Sequence, residues 1–260
     1  MIRTTRVPIG LATVCALLLA FSAPASAVPT RGPLPCLAPT SSDLLDEGAV
    51  LKSSLGTYRI TTAHSYWSVV ATRGSQGYDS DIVLHDPTSC PLNSSTLGGF
   101  SPADWVAFDN NAGRLPIGTY ATRVNGHPGN TSPVKYLVQF VQGDQTLSTT
   151  TTAFQPVGTG YGDWIVDIRD VYLSAGTPYT FTVSGGLSAL YVLGSSAGAP
   201  GGWSKTAATA DFSLTLPGTD LYTPQTGTLA VTPAQSGWYA ALFVRNGWWG
   251  APVSARITSP

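Results

Sequence analysis

Tyr78–Asp86 reads YDSDIVLHD, and a segment of the same kind returns at Ser188–Ser196 as SALYVLGSS. Downstream of the first lie ADWVAFDNN (Ala103–Asn111) and GTYATRVNG (Gly118–Gly126). Downstream of the second lie ADFSLTLPG (Ala210–Gly218) and GWYAALFVRNG (Gly237–Gly247). Pairing Ile82 with Leu190, Asp104 with Asp211 and Gly118 with Gly237 gives offsets of 108, 107 and 119. Three segments in one order at a nearly constant offset predict a duplicated module with one longer loop in the second copy.

Around these segments the apolar period is two. Tyr58/Ile60, Trp67/Val69, Val83/His85, Val106/Phe108 and Tyr136–Val141 fall in short runs separated by Gly, Pro, Asn or Asp. Such runs at roughly 10-residue spacing predict an all-β chain of two tandem antiparallel β-sandwich, jelly-roll-like modules. The expected divisions are 1–27, 28–150 with a Pro-rich start, and 151–260. The Thr-rich run 146–152 reads either as linker or as edge strand. Ser42–Leu51 (SDLLDEGAVL) is the one fragment with a helix-like start, a capping Ser and acids in its first turn.

The first 27 residues combine a basic start (MIRTTR), a short apolar stretch and Ala25-Ser26-Ala27, which predicts a cleaved signal peptide and secretion. No later run reaches roughly 18 apolar residues, so no membrane span is expected. Residues 28–260 carry 11 basic and 14 acidic side chains with no basic run, which argues against nucleic acid as partner. Their two cysteines, Cys36 and Cys90, are expected to pair in an exported protein; free thiols or a metal pair are the alternatives.

The D-I-V-L-H-D strand followed by G-T-Y-x-x-R-V resembles the bacterial pre-peptidase C-terminal domain family. Asp79, Asp81, Ile82, Leu84 and Asp86 match its acidic strand motif. Gly118, Tyr120 and Val124 match its closing strand, as do Gly237, Tyr239 and Phe243 in the second copy. SALYVLG departs by lacking the acids. The resemblance implies a bacterial, non-catalytic module secreted alone or beside an enzyme, which in some cases binds calcium, polysaccharide or matrix protein.

Of the chemistry-bearing groups, Gly194-Ser195-Ser196-Ala197-Gly198 has the spacing of a hydrolase elbow. APGGW follows where a helix is needed, and His64, His85 and His127 all precede the serine, which favours a hairpin turn. Asp79, Asp81 and Asp86 are the candidate oxygen ligands for calcium, a hard cation; the same acids also suit turns and ordinary strand alternation. Trp105, Trp164 and Trp238 sit in strand-like runs and are expected in the core. Trp248 and Trp249, in NGWWGAP, and Trp203, in GGWSK, are the candidate ligand-binding aromatics, with a turn-capping role as the alternative. The functional expectation is a secreted, non-catalytic extracellular protein that binds polysaccharide, cell wall or an extracellular protein. A hydrolase with an unrecognised Ser/His/Asp site and a structural or assembly component are the rivals.

Overall fold

In the first half, short alternating runs become β1 (Asp43–Leu44), β2 (Gly48–Lys52), β3 (Gly56–Thr61), β4 (Trp67–Gly74), β5 (Ser80–His85), β6 (Pro91–Ser95), β7 (Asp104–Asp109), β8 (Thr119–Gly126) and β9 (Tyr136–Gln142). The second half holds β10 (Thr152–Phe154), β11 (Val166–Leu173), β12 (Tyr179–Gly185), β13 (Ala189–Leu193), β14 (Ser204–Lys205), β15 (Phe212–Thr215), β16 (Gln225–Val231), β17 (Gly237–Val244) and β18 (Val253–Thr258). This is a computed structural model. It describes residues 36, 43–52, 55–74, 78–98, 103–111, 113–126, 135–143, 147, 152–154, 164–195, 202–216, 225–245 and 253–259. Among these, the only helical element is a 3-10 turn at Ala207–Thr209. The expected signal peptide and the Pro-rich segment lie outside the described residues, apart from Cys36.

The strands form four sheets. Sheet A is ordered β1-β3-β8-β5-β6 and sheet B β14-β7-β4-β9-β2; sheet C is β11-β17-β13-β15 and sheet D β10-β18-β12-β16. All pairings are antiparallel except β1 with β3. Numbering β2–β9 as strands one to eight gives orders 2-7-4-5 and 1-8-3-6. The second copy, with β14 set aside, gives the same two orders. Each half is therefore an eight-stranded jelly roll of two sheets, and the duplication is of whole topology.

The register of the repeat needs one correction. Asp104 begins β7, whose equivalent is β16 and not β15; β15 corresponds to β6. From β5 to β13 the strand starts differ by 109 (Ser80, Ala189). From β6 to β15 they differ by 121 (Pro91, Phe212), and from β7 to β16 again by 121 (Asp104, Gln225). The extra residues of the second copy thus enter between β13 and β15. This insertion holds β14, which crosses over to pair with β7 of the first sandwich (Ser204↔Phe108, Lys205↔Ala107).

Burial explains the sequence texture. β4, β7 and β9 are buried at every position. Polar positions such as Ser68, Thr72 and Gln139 are buried along with the apolar ones, because sheet B has a core on both faces. Toward sheet A it contributes Val70, Val106, Phe108, Val138 and Phe140 to the first sandwich's core. Toward sheet C it contributes Trp67, Val69, Ala71, Trp105 and Ala107, which meet Ile165, Val166, Ile168, Ala240 and Leu242. Phe181, Val183, Leu190, Val192, Phe243 and Ile257 fill the second sandwich. The stack is A, B, C, D with three cores, and residues 34–260 form one compact unit.

The outer strands alternate instead. β16 runs from half-buried to exposed in strict alternation, and Thr226, Thr228 and Ala230 point outward beside Thr180 and Thr182 of β12. This polar outer face of sheet D, equivalent in topology to the apolar outer face of sheet B, ends the stack.

Ser42–Leu51 departs from the helix-like expectation. β1 and β2 fall there, with Leu45 buried and its N–H bonded to the Arg59 carbonyl. Sheet pairing overrides a weak local start signal. Of the Thr-rich run only Leu147 and Thr152 are described, and Thr152 opens a short edge strand, Thr152–Phe154, paired with β18. Residues 148–151 lie outside the described set. Cys36 and Cys90 form a disulfide that ties the segment before β1 to the turn between β5 and β6.

Candidate functional site

Tyr172 and Trp238 are direct cross-strand partners on β11 and β17. Alternation places them on the same face of sheet C as Ile168 and Leu242, the face that sheet B covers. Sheet B stops short of them. Its β4 begins at Trp67, whose indole Nε1 donates to the Trp238 carbonyl at 3.4 Å. Beyond that point sheet C forms a ledge on which Tyr172 is 53% and Trp238 39% exposed. Their rings meet edge to face, with centroids 5.6 Å apart. Trp105 and Trp164 are buried as expected, but Trp238 is not a core residue, because its sheet overhangs the one opposite.

Behind the ledge the two sandwiches are joined by polar groups. Asp170, buried on β11, accepts the Trp67 N–H at 3.2 Å. Burial pushes its carboxyl up to about 8, with nearby Asp109 adding to the rise; hydrogen bonds from the Trp67 backbone and the Asn111 side chain oppose it. Asp109, at the end of β7, is fully buried and pairs with Arg114, the Asn111 amide and the Ser195 hydroxyl. Ser195 comes from the second sandwich, so this carboxylate bridges the halves.

On the opposite face of β17's first residues lies a cleft of about 330 Å³, lined among others by Ser195, Asp211, Phe212, Thr232, Gln235 and Tyr239. Asp211 is fixed by the Gly194 N–H at 2.7 Å and by Lys205 at 3.4 Å. Tyr239 donates to the Gln235 carbonyl at 2.9 Å, which holds the turn that walls the cleft. Tyr120, at the equivalent point of β8, donates in the same way to the Pro116 carbonyl. The repeated G-x-Y therefore has a physical reason: each tyrosine pins the corner four residues upstream.

The candidate residues fall in several places. Trp248 and Trp249 lie outside the described residues. Trp203 sits on the inserted crossover, half-buried, and its carbonyl accepts the Asp109 N–H at 2.8 Å. Asp79 and Asp81 converge with Asp104, their ligand atoms all within 4.8 Å of one another. Asp86 is not in that group. Its Oδ1 accepts the Thr88 N–H, the Thr88 hydroxyl and the Cys90 N–H at 2.8, 2.7 and 3.0 Å. Burial would raise this carboxyl, but those hydrogen bonds outweigh it and hold it low.

Ser196, the serine of the elbow-like spacing, and His127 lie outside the described residues. Ser195 next to it donates to a carboxylate; His85 sits on β5 in sheet A, and His64 is exposed against Tyr66. The exposed pair Tyr172–Trp238 escapes a sequence reading, since DVYL and GWYA carry the same alternation as any core strand.

No family model matches the chain. No curated protein matches it either. Among solved structures it is similar to an Eubacterium rectale protein provisionally assigned as secreted, at 11% identity and TM-score 0.27, over 85% of this chain and 80% of that one. It is also similar to the N-terminal CBM22-1–CBM22-2 tandem of Paenibacillus barcinonensis Xyn10C, at 7% identity and TM-score 0.22, over 82% and 93%. These scores are too low for either likeness to bear on function. Among the described residues no helix is long and apolar enough to cross a membrane.

Proposed function

We propose that the protein is a secreted, non-catalytic polysaccharide-binding protein whose ligand lies on the Tyr172–Trp238 ledge. The exposed edge-to-face pair carries this reading. Two large rings left in water forgo the burial that drives folding, and flat aromatic faces match the apolar C–H faces of sugar rings. An edge-to-face arrangement leaves one ring face free for such stacking. The rigid strands beneath, locked by Trp67 and Asp170, hold the rings in place before ligand arrives, so little ordering cost falls on binding. The cleft across β17, with Asp211, Thr232 and Gln235 as hydroxyl-binding groups, has the size of a small-molecule pocket and extends the same end of the molecule.

The relation to pre-peptidase C-terminal domains is part of the proposal. What supports it is that the two motif strands, β5 and β8, pair directly in sheet A, with Ile82 opposite Val124. The test is a pull-down on insoluble polysaccharides and cell-wall material. Wild type is expected to be retained on at least one polymer, and Tyr172→Ala/Trp238→Ala to be lost from it. Retention nowhere overturns the polysaccharide reading; unchanged retention of the variant overturns the site.

A further inference from the structure

The structure assigns a divalent-cation site, for calcium, to Asp79, Asp81 and Asp104 at one end of the first sandwich. Asp81 lies on β5 of sheet A and Asp104 begins β7 of sheet B, so the site spans the two sheets. The three carboxylates each bring an oxygen within 4.8 Å of the others. Two oxygens on one calcium ion, each at about 2.3–2.6 Å, stand no more than about 5 Å apart, so one ion can reach all three.

A second observation points into the same place. Asp104 is 0% exposed. Its Oδ1 accepts the Ser95 hydroxyl and the Leu97 N–H, the latter at 2.8 Å. Its Oδ2 is buried and has no hydrogen-bond partner among the described residues. A buried carboxylate oxygen without a partner costs several times an ordinary hydrogen bond. Three carboxylates held this close repel one another unless a cation stands between them. A cation between the three would remove the repulsion and satisfy the orphaned oxygen together. The donors are carboxylates with no imidazole or thiolate, which suits a hard ion and disfavours zinc. Ser95 and Leu97 fix Asp104 as outer partners fix a metal ligand.

The test uses the whole protein at pH 7.5, melted in EDTA, in 2 mM calcium and in 2 mM magnesium. Calcium is expected to raise Tm by about 5 °C or more over EDTA, as for any ligand well above its dissociation constant that binds only the folded state. Asp104→Asn is expected to melt no lower than wild type in EDTA, since it removes a repelled charge, and to lose the calcium shift. Terbium provides a readout independent of melting. Excitation of the protein's tryptophans should give sensitised emission through neighbouring Trp105, displaced by calcium and at least tenfold weaker in Asp104→Asn. Equal Tm in EDTA and calcium without terbium emission overturns the site. A magnesium shift as large as the calcium shift overturns the assignment to calcium.

Discussion

The backbone N–H of Trp67, in the first sandwich, points at the carboxyl of Asp170, in the second, at 3.2 and 3.4 Å from its two oxygens. One strand start is thereby tied to a buried acid 103 residues away, at the edge of the central core. Asp170 is raised in the folded state, to about 8, above its ordinary value near 4 when unfolded. A raised carboxyl gives stability that is complete below the unfolded value and is lost as pH climbs through the folded one. Wild type should lose stability from pH 5 to pH 8.5. Asp170→Asn keeps an acceptor for Trp67, cannot ionise, and should show a smaller loss. Denaturant midpoints at both pH values check this, and equal slopes for the two proteins would contradict it.

Trp105 and Tyr191 pack against each other across the central core with tilted rings, their centroids 5.0 Å apart. Trp105→Ala should cost about 3–5 kcal/mol, the range for emptying a buried indole. Arg73 donates to the Arg245 carbonyl, and Gln139 accepts the N–H groups of Ile165 and Val166. With these bonds bridging the halves, both sandwiches should melt in one calorimetric transition. Two separated transitions in wild type would show that the central core does not couple them.

Tyr120 and Tyr239 make the same corner bond in the two copies. Tyr120→Phe and Tyr239→Phe should each cost about 1–2 kcal/mol, because the hydrogen bond is lost while the ring stays packed. Urea midpoints test this. Tyr239→Phe should also loosen the cleft wall, seen as faster amide exchange in residues 232–236.

The Cys36–Cys90 bond closes a loop with a sequence separation of 54. On the loop-entropy account its removal should cost about 4 kcal/mol. Cys36→Ser/Cys90→Ser, melted beside the oxidised protein, provides the comparison, and an unchanged Tm would mean the loop is already constrained when unfolded.

Much of the fold was legible because each strand's period reports its layers. The alternation of Gln225–Val231 marks an outer sheet, while Trp67–Gly74 is buried at every position, polar residues included, because it lies between two cores. The duplication was legible from the β5 and β8 motifs, whose tyrosine and glycine roles are local. The pairing of Asp104 with Asp211 failed, because A-D begins both segments and nothing local reveals that the insertion precedes β15. Long-range placement also hid the sites. Asp104 joins Asp79 and Asp81 only through the packing of sheet A on sheet B, whereas Asp86, nearer in sequence, is spent on its own turn. Trp238 looks like a core residue until the length of the opposing sheet is known.

The most direct test of the binding account is a set of depletion isotherms on whichever polysaccharide retains the protein. It compares wild type, Tyr172→Ala/Trp238→Ala and Trp248→Ala/Trp249→Ala, each first shown to be folded by its melt. The ledge account predicts at least tenfold weaker binding for the first variant, from losing about 1.4 kcal/mol or more of aromatic contact, and near wild-type binding for the second. Full binding by the first variant, with loss in the second, would contradict the ledge and move the site to Trp248 and Trp249.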